Sequence, residues 1–187
     1  MTPLTAPSFL LSLLLASPFL YFLVAGARTF EVPEGSDAGV VLGQISFLSG
    51  ALAILWIGLQ ENMRLGNAVA GIAIDLLSIL LYEWTRWTVE GRGFSIALAG
   101  EVPHALCESG PYKFVRHPFY LSYLLAFLAM WVAAADLLTA AVFICNLALF
   151  VYAARDDERT LANSPLAGAY GKYKAQVGML LILPRRR

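Results

Sequence analysis

Charge is scarce in this sequence. Only 14% of its 187 residues are Asp, Glu, Lys or Arg, against 59% hydrophobic, with a mean hydropathy of +0.68. That balance lies far from the composition of water-soluble domains and excludes a solvent-covered globule. Residues 1–27 carry no charged side chain, residues 38–59 carry none, and residues 118–154 are interrupted only by Asp136. Cysteine is equally sparse. Cys107 and Cys145 stand far apart with no CxxC spacing, which excludes a disulfide framework and a thiolate metal site. The chain has no internal repeat and no low-complexity tract.

What is present is a series of apolar runs, each near the roughly 20 residues that a spanning helix needs. The expected fold class is an all-α integral membrane protein of about five transmembrane helices, over 7–27, 38–59, 66–87, 118–134 and 137–154, in a single membrane domain covering 1–187. The turn at 134–136 leaves room only for an antiparallel hairpin. A single helix across both of the last runs would be too long for a hydrocarbon core of ~30 Å. The tripeptide Ala-Gly-Ala at 25–27 has the small-x-small look of a signal-peptide cleavage site, but no positive charge precedes the first run, so that run is expected to be a retained span.

The zero formal net charge hides an asymmetry. If five helices span, one side receives Arg28, Arg86, Arg92, Lys113, Arg116, Arg155, Arg159, Lys172, Lys174 and Arg185 to Arg187, twelve in all, and the other only Arg64. The positive-inside rule then puts the amino terminus outside and the carboxyl terminus in the cytoplasm. The expected setting is the inner (plasma) membrane of a prokaryote. The longest internal loop, 88–116, and the charged tail, 155–187, fall on that same cytoplasmic side, where the two can together cap a site.

Two polar clusters border the last hairpin. Before it, "GPYKFVRHPFYLSYLL" at 110–125 sets Arg116 and His117 at a helix start, because Pro118 suits a first turn whose N–H has no partner. After it, "RDDER" at 155–159 returns the chain to the same level, which brings Arg116 and His117 towards Asp157 and Glu158. Tyr170 and Tyr173 share a helical face by their spacing of three. The plainer explanation is snorkelling cations with an aromatic belt and a solvated charge run whose ion pairs contribute about 1 kcal/mol at most. It accounts for the charges but not for the meeting of the two clusters.

On the third run, Asp75, Tyr82 and Arg86 lie within about 20° of one stripe. An ionisable residue at membrane depth is by default a functional candidate facing the protein interior. Asn146 is a possible partner for Asp75; an interhelical hydrogen bond of about 1 kcal/mol is the alternative role. Gly39 and Gly43 form a GxxxG that is expected to let the second helix pack closely.

The sequence resembles the isoprenylcysteine carboxyl methyltransferase family, within a wider group of integral membrane methyltransferases that includes phospholipid methyltransferases. Gly110-Pro111-Tyr112, Arg116-His117-Pro118 with Tyr120, the hairpin, Asp157-Glu158 with Leu161, Tyr170 with Tyr173, and Pro184 follow the family pattern across 105–184. Asp157 stands where the family commonly has glutamate.

The resemblance implies S-adenosyl-L-methionine in a cytoplasmic pocket closed by the loop before the fourth helix and by the tail, with a lipophilic small-molecule or lipid acceptor entering from the bilayer. Tyr112, Arg116, His117, Pro118, Tyr120, Glu158, Tyr170 and Tyr173 would bind the cofactor, Arg116, His117 and Glu158 would serve catalysis, and Asp75, Tyr82, Arg86 and Asn146 would line the substrate cavity. Glu158 would accept from the ribose diol, aromatic faces would stabilise the sulfonium, and Arg116 would hold a carboxylate bidentately. No metal and no nucleic acid are implied; membrane lipids are the surroundings. The competing reading is an NADPH-dependent membrane reductase of the sterol-reductase type, of which "RDD" at 155–157 is a mild reminder. Its larger cofactor fits 187 residues less well. A non-catalytic membrane scaffold is the third.

Overall fold

In the computed structural model, residues 6–29, 37–60, 63–90 and 106–181 are described. The expected roles of Arg92, Pro184 and Arg185 to Arg187, and most of the loop 88–116, lie outside the described residues. Among the described residues the chain is helical: α1 (Ala6–Thr29), α2 (Asp37–Leu59), α3 (Leu65–Val89), a 3-10 turn (Gly110–Lys113), α4 (Pro118–Ala134), α5 (Leu137–Ala162) and α6 (Ala167–Gln176). Four of these, α1, α2, α3 and α5, are long and apolar enough to cross a bilayer. α4 has 17 residues and rises about 26 Å, a little short of the ~30 Å hydrocarbon core.

The neighbours run antiparallel, and the close approaches show why. Gly71 near the start of α3 meets α4 near its end: a Cβ there would stand 2.7 Å from Ala133 Cβ and 2.8 Å from the Ala129 carbonyl oxygen. At the other end of the same pair Tyr82 meets Phe119, with ring centroids 5.2 Å apart. Midway, Ser78 Oγ donates to the Ser122 carbonyl at 2.7 Å. Likewise α1 and α2 approach at Ser12 and Gly58 and at Phe22 and Phe47, 5.8 Å apart. The core between them is aromatic. Phe22, Phe47, Tyr82, Tyr123 and Phe150 form a chain of tilted and edge contacts at 4.9–5.8 Å, the geometries that ring quadrupoles favour. Outward-facing leucines and tryptophans such as Leu52, Trp56, Leu80 and Trp87 are exposed, as a lipid-facing surface requires.

The α4–α5 hairpin turns on two residues, as its sequence predicts. Ala135 adopts φ 50°, the left-handed conformation, and its N–H reaches the Trp131 carbonyl at 2.7 Å. Asp136 then caps α5 by accepting from the Leu138 N–H at 2.7 Å.

Two expectations are corrected. Helix α5 does not end at 154 with its apolar run but continues to Ala162, because the backbone ladder extends through Arg155–Leu161 once these side chains leave the apolar layer, and none of them breaks a helix. And of the GxxxG pair, the surroundings of Gly39 lie outside the described residues, while a Cβ at Gly43 would meet nothing within 4 Å among the described residues, whereas at Gly50 it would press on Phe19 and Phe127 and at Gly58 on Ser12. Close packing is set by which glycines face a neighbour, and these lie further along the helix.

Candidate functional site

One end of the bundle gathers the ends of α1 and α3, the start of α4 and the end of α5. There the loop before α4 and the tail are stitched together. Gly110 has φ +56°, and a Cβ on it would collide with Thr88 of α3, so only glycine allows the 3-10 turn to lie against that helix. The chain then runs straight into a parallel bridge between Val115 and Gly178. Arg116 N–H donates to the Gly178 carbonyl at 2.9 Å and His117 N–H to the Met179 carbonyl at 3.2 Å. Pro118 opens α4 directly afterwards, at the position where its missing N–H has no cost. From α6, Tyr173 Oη donates to the Tyr112 carbonyl at 2.7 Å.

Around this seam the two polar clusters meet, as the sequence predicts. Arg116 Nε and Nη2 donate to Glu158 Oε1 at 2.8 and 2.5 Å, and Arg116 Nη1 donates to the Val177 carbonyl. Lys174 Nζ donates to Glu158 Oε2 at 2.7 Å. His117 Nε2 stands 3.4 Å from Glu158 Oε1 without hydrogen-bond geometry, and its Nδ1 3.9 Å from Asp157 Oδ2. Tyr120 Oη donates to Asp157 Oδ2 at 2.9 Å, and the His117 and Tyr120 rings stack at 5.5 Å. The side chains of Arg116 and Glu158 are only 9% and 7% exposed. A pair so deeply desolvated is held by its full set of partners, since losing one would leave an uncompensated charge.

Tyr112, Tyr170 and Tyr173 are buried here. Burial raises all three phenols above their ordinary value; the Glu158 carboxylate adds to this at Tyr170, while Arg116 opposes it at both Tyr170 and Tyr173. Each therefore remains a protonated donor at neutral pH. Among the described residues, two buried polar atoms of the cluster, His117 Nε2 and Tyr170 Oη, have no partner in hydrogen-bond geometry, although Nε2 lies 3.4 Å from Glu158 Oε1. Unpaired buried groups at one place are the feature that a polar ligand would satisfy.

The residues expected on the substrate side are divided by the structure. Tyr82 is fully buried in the aromatic core, against Tyr21, Phe22 and Phe119. Arg86 is held by Glu83, Nη2 to Oε2 at 2.6 Å, and Glu83 in turn accepts from Tyr21 Oη. Asp75 is buried, and among the described residues neither of its carboxylate oxygens has a hydrogen-bond partner. Asn146 is not its partner. It accepts from Ser46 Oγ of α2 and donates to the Val142 carbonyl at 2.9 Å, because α5 faces α2 at this depth. Arg116, expected to hold a ligand carboxylate, faces Glu158 through Nε and Nη2.

Sequence reasoning passed over Tyr21 and Lys174. Tyr21 sits in an apolar run with no pattern to mark it. Lys174 did carry a signal, its spacing of four from Tyr170 on a helix.

The model of the isoprenylcysteine carboxyl methyltransferase family matches residues 71–163, about half of the chain. The chain belongs to this family. Its members are membrane methyltransferases, so the protein is an integral membrane enzyme that transfers a methyl group. The matched segment runs from α3 to the end of α5 and contains Arg116, His117, Asp157 and Glu158 of this methyltransferase; α6, with Tyr170, Tyr173 and Lys174, follows it. No curated protein matches the chain, and no solved structure does. Family membership lends the reductase reading no support.

Proposed function

We propose that this methyltransferase uses S-adenosyl-L-methionine and methylates a lipophilic acceptor, an isoprenylcysteine-type carboxylate or another lipid-like molecule. The observation that carries the reading is the cluster in which the nearly buried Arg116–Glu158 pair is joined by the more exposed Lys174, while His117 Nε2 and Tyr170 Oη beside them have no partner in hydrogen-bond geometry among the described residues. When bound, the cofactor supplies a methyl group on a sulfonium cation. The residues fit it: a carboxylate for hydroxyl or cationic groups, two unpaired polar atoms, and the aromatic rings of Tyr112, Tyr120, Tyr170 and Tyr173 for a positive centre.

In this reading Tyr112, His117, Pro118, Tyr120, Glu158, Tyr170 and Tyr173 hold the cofactor. Arg116 orients Glu158 through Nε and Nη2, a positioning role. His117 is the group able to take a proton from an amine or alcohol acceptor, and a carboxylate acceptor needs no such base. The tail stitched over the loop at Val115–Gly178 excludes water, which strengthens every charge interaction inside, and alignment of the reacting atoms supplies most of the acceleration. The acceptor side is assigned to the α3 face that carries Asp75, Tyr82 and Arg86, reached laterally from the bilayer.

For the topology, we assign five spans, with the amino terminus outside and the site cytoplasmic. The setting assigned is the inner (plasma) membrane of a prokaryote. The gathering of Arg86, Lys113, Arg116, Arg155, Arg159, Lys172 and Lys174 at one end of the bundle supports the orientation. The test is calorimetric titration of the detergent-purified protein with S-adenosylhomocysteine and, separately, with NADPH. Binding of the first alone is the expected result; binding of NADPH alone would overturn the reading.

A further inference from the structure

Lys174 is the member of the charged cluster to which the proposed chemistry assigns no part. Its Nζ donates to Glu158 Oε2 at 2.7 Å and stands 6.0 Å from the centroid of the Tyr170 ring. The other carboxylate oxygen, Oε1, is already covered by two N–H groups of Arg116. Glu158 Oε2 and the Tyr170 face thus form a small site whose chemistry suits a cation, one anionic oxygen beside one aromatic face. In this structure the cation in it belongs to the chain itself.

The three charged side chains differ in how easily they can leave. Arg116 is almost buried and is tied to the Val177 carbonyl as well as to Glu158. The Lys174 side chain is 51% exposed, against 7% for Glu158. It reaches inward from α6 on a flexible stem, so its ammonium can swing into water by rotamer changes alone, with α6 left in place through Tyr173 and Tyr112. Glu158 Oε2 would then be buried and unpaired, a costly state unless another cation takes the vacated position.

The geometry points to Lys174 as a resident competitor. Its ammonium fills the cation subsite made by Glu158 Oε2 and the Tyr170 ring, and leaves it when a cationic group of the cofactor arrives. This rests on the S-adenosylmethionine reading of the site. That cofactor carries two candidate groups, the α-ammonium and the sulfonium, and the shared chemistry is a cation on an anionic oxygen. The consequence is that Lys174 weakens cofactor binding, since the competent state is populated only when its ammonium is out. In exchange it keeps a buried carboxylate paired and the tail docked in the empty enzyme.

The experiment compares wild type with Lys174→Met by calorimetry, using S-adenosylmethionine and S-adenosylhomocysteine as probes. Both carry the α-ammonium; only the first carries the sulfonium. We expect Lys174→Met to bind S-adenosylmethionine tighter, by about threefold or more. An equal gain with both probes assigns the α-ammonium to the subsite, and a gain with S-adenosylmethionine alone assigns the sulfonium. Unchanged or weaker binding by the variant, with wild type binding normally, overturns the inference, because Lys174 would then be a bystander or itself a ligand of the cofactor. Failure of wild type to bind either probe defeats the reading of the site and this inference with it. A readout on wild type alone guards against a misfolded variant: amine-selective acylation of Lys174, followed by mass spectrometry, should speed up on adding S-adenosylmethionine. Slower acylation would overturn the inference as well.

Discussion

Arg116 and Glu158 stand 42 positions apart in the chain, yet the guanidinium of the first lies on one carboxylate oxygen of the second, with Nε and Nη2 at 2.8 and 2.5 Å. An apolar hairpin separates them in sequence. Because α4 and α5 are joined by a turn of only two residues and run antiparallel, Arg116, two residues before α4, and Glu158, in the last turns of α5, return to the same level. The tail then passes beneath, where the Val177 carbonyl accepts from the same guanidinium. One arginine therefore ties together the three segments that make the site.

Replacing Glu158 by Gln removes the charge that Arg116 and Lys174 share. Cofactor binding should weaken by about 1–3 kcal/mol, the usual range for losing a charged hydrogen-bond partner. Titration with S-adenosylhomocysteine checks this; an unchanged dissociation constant would take Glu158 out of the site.

Tyr173→Phe cuts the hydrogen bond from α6 to the Tyr112 carbonyl. Since that bond is buried, the change should cost about 1–3 kcal/mol locally and loosen the tail without unfolding the bundle. Faster amide hydrogen exchange confined to α6 and to 110–116 is the expected signature. Exchange that stays slow throughout α6 would show that other contacts hold the tail.

Asp75 is buried, with both carboxylate oxygens unpartnered among the described residues. An apolar side chain of similar size removes two unsatisfied atoms, so Asp75→Val should raise the thermal midpoint, by about 1–3 kcal/mol in stability terms. If Asp75 serves the acceptor as assigned, the same variant loses turnover while S-adenosylhomocysteine affinity stays as in wild type, the trade of stability against activity found at functional sites. A drop in the midpoint would instead reveal a structural partner for Asp75.

Ala135 holds a left-handed conformation at the hairpin turn, which costs a residue with a Cβ roughly 1 kcal/mol. Ala135→Gly should therefore stabilise the protein by about 0.5–1 kcal/mol, less than the full strain because glycine is freer in the unfolded chain. Thermal unfolding in one detergent checks the sign. Cofactor affinity should not move, because the turn sits at the opposite end of the bundle from the site.

Much of the architecture is legible in the residues alone. Apolar runs without charge must be helices in a bilayer, since each backbone polar group has to be satisfied within its own segment, and the short turn at 134–136 permits no arrangement but a hairpin. The meeting of Arg116 and His117 with Asp157 and Glu158 follows from those two facts. The family pattern, Gly110 to Tyr173, marked the same residues by their order.

Which atom pairs with which was decided only by the tertiary structure. Periodicity assigns Asp75 and Asn146 to inner faces but cannot say that Asn146 meets Ser46 of α2, because that depends on which helices become neighbours. A glycine motif marks Gly43, yet packing selects Gly50, Gly58 and Gly71, the ones that face a neighbour at close approach. Composition separates Arg155–Arg159 from the membrane but not from the helix, so the extension of α5 to Ala162 appears only in the fold. Lys174 reads in sequence as one more cation of the basic side; its ammonium on Glu158 is a product of α6 folding back over α5. Local chemistry and hydropathy act along the chain and can be read from it, whereas a buried charge finds its partner through space.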